Sequence, residues 1–380
     1  MQAEKGARSM GATGKAAVLL GPGKGYEIQE FEVPAPEPDG IVIKVSMGGI
    51  CGSDLHIWRG DSPMFAMMAG SVAGHEMTGR VHSLGSNVKT DSLGRPLKEG
   101  DRVAYSYFYP CQRCYQCNKG EFATCPNKLA RMGPSISKFS GAYGEYYYLK
   151  PGGWIFKVPD EISDEMATPV NCALSQVTYG LQKAGLRYGD TVVVQGAGGL
   201  GLNAIAVAKE MGADAVIAID GVPSRLALAK KFGADEVIDL SEHPTPMDRI
   251  ARVKGLTNGR GGDVVVEVVG VPAVVPEGLQ MLRDGGTYLE IGNISFGRTT
   301  EIDPSGLVWG SKRIQGVVMY DPWVIPEALE FLVRTKNKYP HADVVSHKFK
   351  LADINEAFSN SEWMRDGEAT KVNRAVVTMA

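Results

Sequence analysis

Thr191-Val192-Val193-Val194-Gln195-Gly196-Ala197-Gly198-Gly199-Leu200-Gly201 is the stretch that decides the fold. Its first five residues form a run rich in β-branched side chains, suited to a strand buried on both faces. The six that follow spell G-x-G-x-x-G, and the alanine-rich segment Leu202 to Met211 reads as the helix that the loop opens. Ala215 to Ile219 is a second apolar strand, with Asp220 at its end. A bare glycine motif is weak evidence. One that follows a strand, opens a helix and is answered by an acid about twenty residues later marks a dinucleotide site. Gly196, Gly198, Gly199, Leu200 and Gly201 allow the tight turn and bring a pyrophosphate to the N–H groups and positive dipole of a helix N-terminus. Asp220 is suited to accept hydrogen bonds from the adenosine ribose hydroxyls and to repel a 2′-phosphate, which favours NAD over NADP. Arg225 is counted with these cofactor-binding residues.

The alternation continues beyond this unit. Ser224 to Phe232 reads as a helix, Glu236 to Asp239 as a short strand, and Asp263 to Val269 and Gly286 to Gly292 as further strands. Such alternation specifies a doubly wound parallel sheet in the α/β class. The first 150 or so residues differ, with short β-rich segments such as Gly40 to Val45 and Asp101 to Tyr107 broken by Gly and Pro, and read as an irregular β-rich domain with long loops. From about Asp321 come a helix (Ile325 to Lys336), Phe349-Lys350-Leu351, a second helix (Ile354 to Asn360) and a strand at Ala375 to Thr378, expected to return to the β-rich domain. The division expected is residues 1–170 for a first segment of a zinc-binding catalytic domain, 171–318 for a nucleotide-binding domain and 319–380 for the return.

With 380 residues, 44% of them hydrophobic and 22% charged, the composition is that of a folded two-domain protein and excludes a disordered chain. A net charge of -3 and the lack of any long basic run argue against nucleic acid as a partner. No apolar run is long enough for a membrane span. Met1 to Lys15 has no apolar core, so a disordered lead-in and a cytoplasmic location are expected rather than a signal peptide.

In a reducing compartment the six cysteines point to metal or catalysis, not to disulfides. Cys111, Cys114, Cys117 and Cys125 form one cluster, able to close a tetrahedral site around a structural zinc ion. The rival is an iron–sulfur cluster, and the seven-residue gap before Cys125 fits zinc better. Cys51 and His75 are good zinc ligands, and Cys172 can complete a three-ligand set with one open position. Spacing does not show that these three converge. Ser53 read alone is a loop cap and His56 a surface histidine. His82, His243, His341 and His347 have no metal or catalytic context and are read as structural or solvated.

Cys51-Gly52-Ser53-Asp54-Leu55-His56, Gly74-His75-Glu76, Gly100-Asp101-Arg102-Val103, the four-cysteine lobe and the Gly196–Gly201 loop, in this order and spacing, resemble the zinc-dependent alcohol dehydrogenases of the medium-chain dehydrogenase/reductase family. The resemblance covers nearly the whole chain after about Lys15. It implies a GroES-like catalytic domain beside a Rossmann domain, two zinc ions per chain, NAD, and a homodimer or homotetramer. It implies that Cys51, His75 and Cys172 hold the catalytic zinc, with Asp54 and Glu76 as carboxylates that steady the site. Cys172 stands where polyol dehydrogenases of the family often place a glutamate. Ser53 matches the hydroxyl that takes the alcohol proton and His56 the outer end of a relay to solvent.

The expected activity is reversible oxidation of a primary or secondary alcohol to the aldehyde or ketone. A polyol or amino-alcohol substrate is the alternative within the family, and a metal-free quinone or enoyl reductase lacks any use for these ligands. From a different class comes a non-catalytic, zinc-stabilised nucleotide-binding protein. Tyr107 and Trp58, near the ligands in sequence, are read as lining a pocket for a medium-sized or cyclic apolar alcohol.

Overall fold

The computed structural model describes residues 12–130, 132, 136–362, 364–365, 368–370 and 372–379. Residues 1–11 of the expected disordered lead-in lie outside these, and its end is corrected: Lys15 already belongs to the Thr13–Gly21 strand, which pairs antiparallel with Gly25–Glu32.

The nucleotide half is a six-stranded parallel sheet. Its order is Glu236–Asp239, Ala215–Asp220, Thr191–Gln195, Gly262–Glu267, Leu282–Glu290 and Arg313–Gly316. The order reverses between Thr191–Gln195 and Gly262–Glu267, and ligands of open α/β sheets bind beyond the strand ends at such a switch point. All five residues of the central Thr191–Gln195 strand are buried, as its apolar run requires. The Gly199–Glu210 helix starts earlier than the expected Leu202, so the last glycines of the motif lie within its first turn. A Cβ on Gly201 would stand 1.9 Å from the carbonyl oxygen of Gly196, so only glycine lets helix and strand approach this closely.

The expected Asp263–Val269 strand ends at Glu267. There the buried carboxylate accepts the N–H groups of Val269 and Gly270, at 2.7 Å each, and turns the chain out of the sheet. The Arg313–Gly316 edge strand has no counterpart among the expected strands. Its sequence, Arg-Ile-Gln-Gly, is short and half polar because only one neighbour covers it.

The β-rich half is a seven-stranded, mostly antiparallel sheet. The path runs His347–Lys350, Ala375–Thr378, Ile41–Gly49, Glu76–Leu84, Arg102–Tyr105 and Ile155–Lys157, with Tyr146–Leu149 also on Ile41–Gly49. Ala375–Thr378 pairs antiparallel with Ile41–Gly49, so the end of the chain is part of the sheet that carries the N-terminal third. The Val324–Thr335 helix follows the nucleotide half and buries one face.

His341 secures the returning segment against the nucleotide half. It is buried among the rings of Phe232, Phe331 and Tyr339, with Nε2 2.8 Å from Thr335 Oγ1. Burial holds its pKa down, to about 4. An unfolded imidazole titrates near 6.5, so the unfolded chain takes up this proton first as pH falls. Stability is therefore complete above pH 6.5 and is lost between about 6.5 and 4, by about 3 kcal/mol. Urea unfolding across that window should show the loss, and His341→Gln should remove most of the slope. An unchanged slope in the variant would place the acid-sensitive group elsewhere.

Candidate active site

Cys51 ends the Ile41–Gly49 strand segment and caps the Gly52–Arg59 helix. Asp54, in the first helical turn, accepts the backbone N–H of Cys51 at 2.9 Å, a capping arrangement that fixes the start of the helix. The same carboxylate accepts the hydroxyl of Tyr143 at 2.8 Å and faces His75 Nδ1 across 3.3 Å. With Nδ1 turned to Asp54, Nε2 points into the site, 3.4 Å from Ser53 Oγ.

Cys172 arrives on a π-helical turn, Val170–Leu174. Its neighbour Asn171 holds the turn in place. The side-chain oxygen accepts the N–H of Met77, the amide donates to the Tyr105 carbonyl, and the Asn171 carbonyl accepts the Tyr320 hydroxyl. Met77 follows His75 by two residues, so the turn that carries Cys172 is bonded to the strand that carries the histidine. The sulfurs of Cys51 and Cys172 lie 3.9 Å apart. One donor atom each from Cys51, His75 and Cys172 lies within 4.8 Å of the others.

The chemistry of this donor set fits a divalent cation. The hydrogen bond from Cys172 is the main influence holding the Cys51 thiol well below its ordinary pKa. Burial disfavours charge on His75, yet the Asp54 carboxylate overcomes it and keeps that imidazole protonated well above the usual range. Two buried thiols and an imidazole with donor atoms within 4.8 Å of one another form a set that a divalent cation would satisfy. Glu76 lies outside the donor group. Burial pushes its carboxyl up to about 7 against the pull of Arg374, to which Oε2 is bonded, while the buried Oε1 has no hydrogen-bond partner among the described residues. Tyr107 sits over His75, with ring centroids 4.9 Å apart. Trp58 instead packs on Phe358, at 5.8 Å.

A second donor group is formed by the sulfurs of Cys111, Cys114, Cys117 and Cys125, again all within 4.8 Å. Backbone N–H of Arg113 and the Asn127 amide hold the Cys111 thiol down, to about 6. Four thiols with no open side suit a structural metal.

At the switch point, Asp220 holds the glycine loop from below: Oδ2 accepts the N–H of Ala197 at 2.7 Å and Oδ1 that of Val222 at 2.8 Å. Arg225 donates weakly to the Val372 carbonyl at 3.4 Å, and its buried Nε has no partner among the described residues. Sequence reasoning missed Arg374. This buried guanidinium joins Glu76 and the Ile50 carbonyl, and a Cβ on Gly199 would lie 2.2 Å from its Nη2. It therefore stands between the metal-type site and the glycine loop. No local motif marks it.

Residues 37–160 match the alcohol dehydrogenase GroES-like domain and residues 199–334 the zinc-binding dehydrogenase domain. The 5-exo-hydroxycamphor dehydrogenase of Pseudomonas putida is 33% identical over 346 residues, covering 90% of this chain and 94% of that protein. The sorbitol dehydrogenase of Bacillus subtilis is 32% identical over 357 residues, 91% of this chain and 93% of that one. An alcohol dehydrogenase from Thermotoga maritima has the same fold, with a TM-score of 0.87 at 26% identity over 97% of this chain and 100% of the other. The fold is that of a dehydrogenase with a GroES-like and a Rossmann half. The chain belongs to the zinc-dependent alcohol dehydrogenases of the medium-chain dehydrogenase/reductase family, and it is a zinc-binding, nicotinamide-dependent oxidoreductase.

The two donor groups differ in closure, and metal loss should follow that difference. Purified enzyme should hold two zinc equivalents per chain. Phenanthroline should remove one quickly with loss of activity, while the four-thiol ion leaves more slowly and with loss of thermal stability. Fewer than two equivalents in freshly prepared enzyme, or iron in the four-thiol lobe, would refute the assignment.

Proposed function

We propose that this dehydrogenase oxidises a medium-sized or cyclic apolar alcohol with NAD, reversibly, to the ketone or aldehyde. The observation that carries the reading is the convergence of Cys51, His75 and Cys172 beside Ser53 Oγ and beneath the Tyr107 ring. In this reading the three residues hold a zinc ion, which when bound acts as a Lewis acid on the substrate oxygen and eases its loss of a proton. A nicotinamide held by the glycine loop would supply the hydride acceptor.

The chain's own residues do the rest. Ser53 takes the substrate proton at Oγ, and His56 passes it towards solvent. Asp54 and Tyr143 fix the His75 ring. Gly196, Gly198, Gly199, Leu200 and Gly201 receive the pyrophosphate, with Arg374 as a nearby countercharge, and Asp220 and Arg225 receive the adenosine ribose. Tyr107, backed by Phe108 and Tyr320, offers the substrate a flat apolar wall.

Similarity to a 5-exo-hydroxycamphor dehydrogenase supports a cyclic secondary alcohol. The polyol reading draws on similarity to a sorbitol dehydrogenase. Against it, the compact donor group contains no carboxylate, since Glu76 is tied to Arg374. We further assign a homo-oligomer, a dimer or tetramer, with its contact at the open Arg313–Gly316 edge. Exposed Val308, Trp309, Ile314 and Val318 support this placement. Six thiols without a disulfide favour a reducing, cytoplasmic setting. Among the described residues, no helix is long and apolar enough to cross a membrane.

Ser53→Ala should lower kcat/KM by roughly 10²–10⁴-fold on the best alcohol in a panel of cyclic, aromatic and polyhydroxylated substrates, with zinc content unchanged. A variant that keeps more than about half of the activity would leave Ser53 as a residue of the first helical turn with no part in the relay. Asp220→Gly removes the charge that repels a 2′-phosphate, and the NAD-over-NADP ratio of kcat/KM should fall on the order of a hundred-fold, about 2.7 kcal/mol. Equal use of both cofactors by the unaltered enzyme would overturn that role for Asp220.

A further inference from the structure

Asp61 has no part in the chemistry above, yet its carboxylate meets the relay histidine. The Gly52–Arg59 helix ends with Gly60 at φ +77, whose N–H bonds the Ile57 carbonyl at 3.1 Å, while Asp61 N–H bonds the His56 carbonyl at 3.0 Å. This pair of bonds is a Schellman closure, and it folds the chain back over the last helical turn. A Cβ at residue 60 would stand 2.4 Å from Pro22 Cβ, so the turn requires glycine. Asp61 Oδ2 consequently lies 2.6 Å from His56 Nδ1, with the two side chains only 13% and 5% exposed.

The surrounding charges are arranged around that bond. Arg59 Nε donates to the same Asp61 oxygen at 3.2 Å, and its Nη1 donates to Glu362 at 2.7 Å. Arg298, from the loop after the Leu282–Glu290 strand, approaches Asp61 Oδ1 at 3.7 Å from the nucleotide half. The other nitrogen of the ring, Nε2, faces Gly270, where a Cβ would lie 3.5 Å away. One imidazole thus lies between a carboxylate of the β-rich half and the Gly270 turn of the nucleotide half.

We propose that Asp61 is a positioning residue for the proton path: it fixes His56 as the tautomer with hydrogen on Nδ1 and the lone pair on Nε2, turned towards the nucleotide half. Arg59 Nη2, a donor, lies 3.4 Å from Nδ1, but the carboxylate at 2.6 Å accepts only and makes the far shorter contact, so Nδ1 donates to it and Nε2 becomes the accepting nitrogen. When Nε2 takes the proton, the imidazolium is balanced by Asp61, and release of a proton to water restores the neutral ring. The inference rests on His56 being the outer relay group. Burial is the largest influence lowering the pKa of His56; Asp61 raises it, and Arg59 and Arg298 lower it.

The test is the pH profile of kcat/KM for alcohol oxidation in zinc-loaded enzyme, in which activity needs neutral His56. Asp61→Asn removes the supporting charge, so the acid limb should move to lower pH and the plateau should fall about ten-fold. Arg298→Ala, at an exposed position, removes an opposing charge, so the acid limb should move to higher pH. His56→Gln should lose about ten-fold with partial rescue by small bases, and the Asp61→Asn, His56→Gln double variant should lose no more than His56→Gln alone. Zinc content and NADH affinity should stay unchanged throughout. If His56→Gln is impaired but Asp61→Asn keeps the wild-type profile, the positioning role is refuted while the relay stands. If the two losses multiply in the double variant, Asp61 acts through the fold and the proposal fails. If His56→Gln loses nothing, the relay assignment falls and the proposal with it.

Discussion

Arg374 and Glu76 form an ion pair in the interior, 298 residues apart in sequence, with side chains 6% and 1% exposed. Removing two such charges from water costs several kcal/mol per ion, and the pair is tolerable only because the contact is close and the guanidinium finds further acceptors such as the Ile50 carbonyl. The pair therefore does little for net stability. What it imposes is geometry. Glu76 begins the strand that follows His75, Ile50 precedes Cys51, and Arg374 immediately precedes the last strand of the sheet. Loss of either Glu76 or Arg374 strands a buried charge, which ties the strand that follows His75 to the segment before the Ala375–Thr378 strand.

The same logic sets the boundary between the two halves. Arg374 presses against Gly199 at the start of the nucleotide helix, so the charge that balances Glu76 also contributes to the field at the pyrophosphate position. Asn171 performs the comparable task for Cys172 with neutral groups, spending both ends of its amide on backbone partners beside His75 and in the Arg102–Tyr105 strand. The π-helical turn that carries the Cys172 thiol is thus fixed by the hydrogen bonds of the residue beside it.

Where chemistry is local, it was legible in the sequence. The parallel sheet announced itself through valine-rich strands and glycine turns, and both donor groups through residue types with strong ligand character. Cys51, His75 and Cys172 were named as possible ligands, but spacing could not bring them together. Convergence depends on Asn171, Tyr143 and Tyr320, whose partners lie tens of residues away. Arg374 was illegible for the same reason: one arginine before a terminal strand has no pattern. Asp61 is different. A glycine after a helix followed by an acid is a local signal, and helix-end geometry could have returned that acid to His56. The Arg313–Gly316 edge strand escaped because an open edge does not need the apolar run by which buried strands are recognised.

The four-cysteine lobe takes no part in the reaction as proposed, yet it is wired to the site through Asp321. This buried carboxylate accepts the N–H of Ala123, two residues before Cys125, at 2.8 Å, and the hydroxyl of Tyr179 at 3.1 Å. Tyr179 belongs to the Ser175–Ala184 helix, which continues directly from the turn that carries Cys172, and Tyr320, next to Asp321, bonds the Asn171 carbonyl. In the proposed reading a metal closing the four thiols would fix the loop that presents Ala123 to Asp321, and Asp321 in turn accepts the Tyr179 hydroxyl. Through Asp321 the lobe is thus tied to the helix that continues from the Cys172 turn, so the structural ion proposed there would bear on the geometry of a site it never touches.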